Sequence, residues 1–235
     1  RPEVADTLER VKPGVVGVGT VHPTRAPRAQ LRGTGFAVGD GTLVVTCAHV
    51  VDAPLDATHQ ERLAIFVGRG EVMTARAVKL VASDREHDLA LLRLEGAPLP
   101  ALALGDQSRA REGWQLYFTG FPLGPVLGLY PVTQRAGLAA IVPRVTPFVS
   151  AAQLSPGVVK AARDPYPVFM LDAVAYPGHS GSPLWHPDSG EVLGIVNSVQ
   201  VKGAKEAALT APSGISYAIP AGFIQALLAK AGIAP

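Results

Sequence analysis

An all-β fold is what this sequence predicts, on three observations. From about residue 14 onward the apolar runs are short and are broken by Gly, Pro, Asp and Asn. They fall into two sets, on either side of a polar, turn-rich stretch at 105–113. Helical spacing is confined to the two ends of the chain. Repeated short strands with this punctuation belong to barrels or to a sandwich, and the residues alone leave that choice open.

Residues 2–11 carry Val4, Leu8 and Val11 on one helical face, and Lys12-Pro13-Gly14 ends the helix. Six strands are expected in the first set, near 14–21, 32–38, 42–47, 62–67, 72–82 and 88–94. Six more are expected near 114–119, 130–141, 168–174, 182–185, 191–199 and 213–219. After them, Pro220 falls in the first turn of a closing helix, about 220–231, with Phe223, Ile224, Leu227 and Leu228 at amphipathic spacing. The stretch 142–167 is long and without obvious structure, and a substrate-binding or activation loop and a packed surface excursion are equally open there.

Composition narrows the function. A net charge of +2 with scattered basic residues argues against nucleic acid as a partner. No apolar run reaches the roughly 18–20 residues that span a bilayer. Cys47 is the single cysteine, so an internal disulfide is ruled out, and its apolar neighbours point to a buried packing thiol. The sequence opens on Arg1 rather than Met, as expected of a processed or recombinantly trimmed form, so the absence of a signal or anchor from it tells little.

Three local segments carry the chemistry. The first leads through Gly33-Thr34-Gly35-Phe36 to Thr46-Cys47-Ala48-His49. The second is Asp88-Leu89-Ala90-Leu91-Leu92, and the third is Gly178-His179-Ser180-Gly181-Ser182-Pro183. A serine hydroxyl is a poor nucleophile without a base in reach, and a histidine oriented by a carboxylate supplies one. Each residue alone has an ordinary reading: a strand-end histidine, a turn carboxylate, a turn serine. The order His, Asp, Ser separates the set from α/β-hydrolases (Ser, Asp, His) and subtilisins (Asp, His, Ser), which disfavours a serine esterase of α/β-hydrolase type.

These segments resemble the chymotrypsin-like serine peptidases, most closely their bacterial HtrA-type branch. Gly214-Ile215-Ser216-Tyr217-Ala218-Ile219-Pro220 is similar to the Gly-x-x-Phe-Ala-Ile-Pro ending of that branch. The resemblance runs from about residue 10 to 225 and leaves no residues for the PDZ module that often follows. It implies two six-stranded antiparallel β-barrels, at about 14–105 and 113–220, with the active site in the cleft between them. It implies a serine endopeptidase in which His49 is the base, Asp88 orients it, Ser180 is the nucleophile, and the Gly178 and Ser180 N–H groups form the oxyanion hole. Val174, Ala175, Pro177, Asn197, Ser198, Val199, Ile215 and Ser216 correspond to the primary pocket. None is charged, so small or medium aliphatic side chains are expected before the scissile bond. Polypeptide substrates, homo-oligomers and a periplasmic or otherwise extracytoplasmic location follow from the family, and neither a metal nor an organic cofactor is required. A catalytically silent peptidase fold that binds peptides or a protein partner is the alternative that residue types do not separate.

Two positions depart from the family pattern. His179 precedes the nucleophile where HtrA members carry Asn and trypsins carry the Asp that receives a freed N-terminus, a part an imidazole does not play. Ser182 stands where many relatives have Gly. Among the remaining histidines, His186 and Asp188 fall short of the three or four ligands of a zinc site. His22, His59 and His87 sit in polar loop contexts and are expected at the surface.

Overall fold

The computed structural model describes residues 3–122, 128–144, 165–198 and 214–233. Twelve strands form two closed, six-stranded antiparallel barrels. The first contains β1 (Val15–Val21), β2 (Ala29–Val38), β3 (Leu43–Cys47), β4 (Arg62–Val67), β5 (Thr74–Asp84) and β6 (Leu89–Leu94). The second contains β7 (Gln115–Gly120), β8 (Val132–Pro143), β9 (Pro167–Asp172), β10 (Pro183–Trp185), β11 (Val192–Asn197) and β12 (Ile215–Pro220). Both close in the same order: each barrel's first strand pairs with its second and fourth, and the third pairs with the sixth and second, or their equivalents. Every expected strand is present. β2 begins earlier than its apolar pattern because Ala29, Gln30 and Leu31 pair with Val21, Thr20 and Gly19 beyond a register shift at Val18/Gly19.

Helix α1 (Val4–Val11) and helix α3 (Ala221–Lys230) cap the ends, and a four-residue helix, α2 (Ala48–Val51), follows β3 directly. The main core crosses the barrel boundary. Val16, Phe36, Val44 and Leu92 of the first barrel share it with Trp185, Ile195 and Ile219 of the second and with Ile224, Leu227 and Leu228 of α3. Burial of this apolar surface supplies the principal stabilisation. The terminal helices add to the joint. Thr7 and Val11 of α1 lie against Gly190 in the second barrel, whereas Phe223 of α3 stacks on His87 of the first, 4.0 Å between ring centroids.

The ladder of β8 and β9 continues to the base of the 142–167 excursion, where Arg144 N–H donates to the Tyr166 carbonyl at 2.8 Å. The rest of that excursion, and Val199, lie outside the described residues.

Candidate active site

The register of β3 against β6 brings the first two candidate residues together. Cys47 pairs with Leu89, so the next residue after β3 and the last before β6 meet at one barrel end. Asp88 has φ 55°, in the left-handed region, which costs roughly 1 kcal/mol or more for a residue with a Cβ. The hydrogen bonds around it compensate. The Asp88 carbonyl accepts Ala48 N–H at 3.0 Å. Its Oδ1 accepts His49 N–H at 2.8 Å, so that Asp88 in all satisfies two of the free donors that begin α2. Oδ2 accepts His49 Nδ1–H at 2.6 Å and the Asn197 Nδ2 amide at 2.6 Å. A carboxylate only accepts, so the imidazole proton sits on Nδ1 and Nε2 keeps its lone pair.

The nucleophile segment is a turn between β9 and β10 tied to both barrels. Ser180's carbonyl accepts Thr34 N–H at 2.8 Å, and Gly178's carbonyl accepts the Thr34 hydroxyl at 2.7 Å. The same Thr34 hydroxyl accepts Phe121 N–H at 3.0 Å, and Thr46 donates its own hydroxyl to the Thr34 carbonyl at 2.7 Å. Gly181 is at φ 94°, and a Cβ there would overlap the Thr34 carbonyl, so only glycine lets the turn approach β2 this closely. With both carbonyls facing β2, the Gly178 and Ser180 N–H groups have no acceptor among the described residues.

His179, fully buried, closes the turn from inside. Its Nδ1 accepts Tyr176 N–H at 3.0 Å while its own N–H donates to the Tyr176 carbonyl at 3.0 Å. Nδ1 is thus the acceptor and Nε2 carries the proton, buried without a hydrogen-bond partner among the described residues, while the ring lies perpendicular to Phe118, 5.0 Å between centroids. Burial pushes the imidazole down to about 4, so it is neutral at pH 7. The Ser182 hydroxyl, also buried, packs into the space left by the missing side chain of Gly120, where a Cβ would overlap it.

The Ser180 hydroxyl, 2 % exposed as a residue, is hydrogen-bonded at 2.5 Å to the Ser198 hydroxyl and accepts Ser198 N–H at 3.2 Å. Its hydrogen bonds among the described residues do not include one to His49. The structure therefore joins His49 to Asp88 and brings Ser180 onto Ser198.

Around this centre, Val174 and Ala175 are half-buried, Pro177 and Ile215 are exposed, and Ser216 is buried. Asn197, expected in the pocket, is instead fully buried with its amide turned onto Asp88. Sequence reasoning assigned nothing to Thr34; its place in the Gly33-Thr34-Gly35 segment was the one available signal.

Two groups with metal-ligand chemistry converge among the described residues, each within 4.8 Å: Cys47, His49 and Asp88, and His22, Asp56 and His59. The surface expectation for His22 and His87 fails. Their side chains are 13 % and 18 % exposed, since each is drawn against a carboxylate, Asp56 and Asp84 respectively.

Residues 33–195 match the trypsin-like peptidase domain. The chain belongs to that family. Relatives include a probable periplasmic serine endoprotease DegP-like of Marinomonas sp., 30 % identical over 84 % of this chain and 34 % of its own length. Serine protease HTRA1A of Danio rerio is 28 % identical over 97 % of this chain and 41 % of its own. The chain thus spans about a third to two fifths of the length of these relatives. Among solved structures, the Rv3671c protease of M. tuberculosis in its active form superposes with TM-score 0.68 at 22 % identity, covering 97 % of this chain and 85 % of that one. Its inactive form gives 0.66, covering 96 % and 92 %. These likenesses show the fold.

Proposed function

We propose that this protein is a serine endopeptidase in which Ser180 attacks the carbonyl of a peptide bond. The observation that carries the reading is the Asp88 carboxylate, which holds the His49 proton on Nδ1 and leaves Nε2 free to act as a base. Rotation of the Ser180 side chain from Ser198 toward His49 starts the reaction. The hydroxyl oxygen bonds to the carbonyl carbon as its proton passes to Nε2, and the resulting imidazolium is stabilised by Asp88. The oxyanion is received by the Gly178 and Ser180 N–H groups, worth roughly 10²–10³ in turnover for one such donor. The C–N bond then breaks, the departing amine takes the proton from Nε2, and water releases the acyl group by the same route.

The pocket residues Val174, Ala175, Pro177, Ser198, Ile215 and Ser216 bring no charge, which supports small or medium aliphatic side chains before the scissile bond. Asn197 is removed from that set, since it backs the triad. Polypeptides are the substrates, and an extracytoplasmic location agrees with relatives named as periplasmic. A fluorophosphonate or sulfonyl fluoride probe tests the central step: it labels the wild type covalently and leaves Ser180→Ala unlabelled. The second reading, a silent peptidase fold that binds peptides, is favoured by the Ser180–Ser198 hydrogen bond. It is the outcome if the wild type, too, stays unlabelled at every pH where it is folded.

A further inference from the structure

We infer that His22, Asp56 and His59 form a binding site for a first-row divalent cation, on the outer face of the first barrel and separate from the triad. His22 follows β1, whereas Asp56 and His59 lie in the connection that leaves α2 for β4. Their donor atoms nevertheless converge: His22 Nε2 is 3.5 Å from Asp56 Oδ2, and His59 Nδ1 is 2.7 Å from the same oxygen. Around a zinc-like ion with bonds near 2.1 Å, neighbouring donors sit about 3.4 Å apart. The first pair already has that spacing, and the second needs to open by less than an ångström. Two imidazoles and one carboxylate are the donor set of zinc, cobalt, nickel and iron rather than of calcium or magnesium, which take oxygen shells.

The surroundings hold these donors in place. Asp56 Oδ1 accepts His59 N–H at 3.2 Å, leaving Oδ2 for the ion. Asp56 N–H donates to Glu61 Oε2 at 2.9 Å, and the Glu61 side chain is only 6 % exposed. Its other oxygen accepts the Thr20 hydroxyl at 2.7 Å and Arg25 at 2.9 Å, so β1 and the β1–β2 connection fix one side of the site. The two imidazole rings lie nearly parallel, 23° between planes and 5.6 Å between centroids. Coordination is balanced by proton movement. The ion takes the place of the proton between His59 Nδ1 and Asp56, and that proton passes to Nε2 of the same ring, which stays a neutral imidazole. His22 binds through Nε2: in the metal-free protein its Nδ1 accepts Thr24 N–H at 3.3 Å, so coordination moves the ring proton from Nε2 to Nδ1, where the Thr24 hydroxyl oxygen at 3.3 Å becomes the outer-sphere acceptor. Water completes the shell on the exposed side.

The ion would clamp the β1–β2 connection to the segment that trails the His49 helix. Cobalt(II), added to the metal-free protein, is the probe. One equivalent is expected to give d–d absorption, and saturating cobalt or zinc should raise the melting temperature by about 5 °C. His22→Ala and His59→Gln each abolish both effects while His49→Ala retains them. Absorption that survives in both His22→Ala and His59→Gln, or that disappears in His49→Ala, would overturn the inference. So would the absence of any cobalt spectrum from the folded wild type, its folding checked by far-UV circular dichroism.

Discussion

Thr34 is the residue on which most of the nucleophile turn depends, although it takes no part in bond making. Its hydroxyl accepts one backbone N–H and donates to the Gly178 carbonyl, while its backbone holds Ser180. Thr34→Val keeps the shape and deletes the hydroxyl, leaving a buried carbonyl and a buried N–H unpaired at about 1–3 kcal/mol apiece. The peptide that joins Gly178 to His179 is then free to turn, and the neighbouring Gly178 N–H, the proposed oxyanion donor, loses its fixed direction. We expect kcat to fall about ten-fold or more with KM little changed, and Thr34→Ser to recover most of the loss. Steady-state kinetics on a peptide substrate would check this; equal losses for Val and Ser would mean that packing, not the hydroxyl, matters. Sequence alone marked Ser180, His49 and Asp88 because each stands in a short local motif. The contact made by Thr34 escaped, and Asn197 was read as a pocket residue rather than as a partner of Asp88, because their partners are 144 and 109 residues away and no local pattern encodes a contact of that kind.

At the scale of elements, the turn between β9 and β10 fits closely against β7. Gly120 on β7 gives the Ser182 hydroxyl its room. Gly120→Ala should therefore cost about 1–3 kcal/mol by overpacking, and less in a Ser182→Gly background. Urea unfolding of the four proteins of this cycle measures the coupling, and strict additivity would contradict it. His179 gives the same turn a pH dependence. Unfolded, its imidazole takes a proton near 6.5; folded, only near 4. Between those values the unfolded chain binds more protons, so stability falls as pH falls through this window, by on the order of 3 kcal/mol in all. His179→Asn, whose Oδ1 is able to accept Tyr176 N–H, should flatten that slope between pH 6.5 and 4. Denaturant midpoints at several pH values decide, and an unchanged slope would reject the assignment. The strands themselves were legible because alternation and turn residues are local. Helix α2 was not, since four residues are too few to show a helical period, and His49 read as the end of a strand.

For the molecule as a whole, the shared core argues that the barrels unfold together. Both tryptophans, Trp114 and Trp185, belong to the second barrel's part of the chain. Leu92 lies in β6 of the first barrel, fully buried. Leu92→Ala should destabilise by roughly 2–5 kcal/mol and shift tryptophan fluorescence and far-UV circular dichroism by the same amount. Two separate midpoints would show instead that each barrel melts alone. The two-barrel architecture followed from the motif resemblance, whereas the strand pattern by itself allowed a sandwich. What neither revealed was the crossed docking of the end helices, because an amphipathic face does not name the surface that it covers.

That crossed docking bears on how the protein is made. Helix α3 follows all twelve strands, yet it packs on β5 and β6 and places Phe223 against His87, next to Asp88. A nascent chain will have completed its first barrel long before the helix that covers it exists. Until then that flank stays bare, and the loop bearing Asp88 lacks its aromatic brace. The carboxylate loop of the first barrel is therefore braced only after the strands of the second have been made.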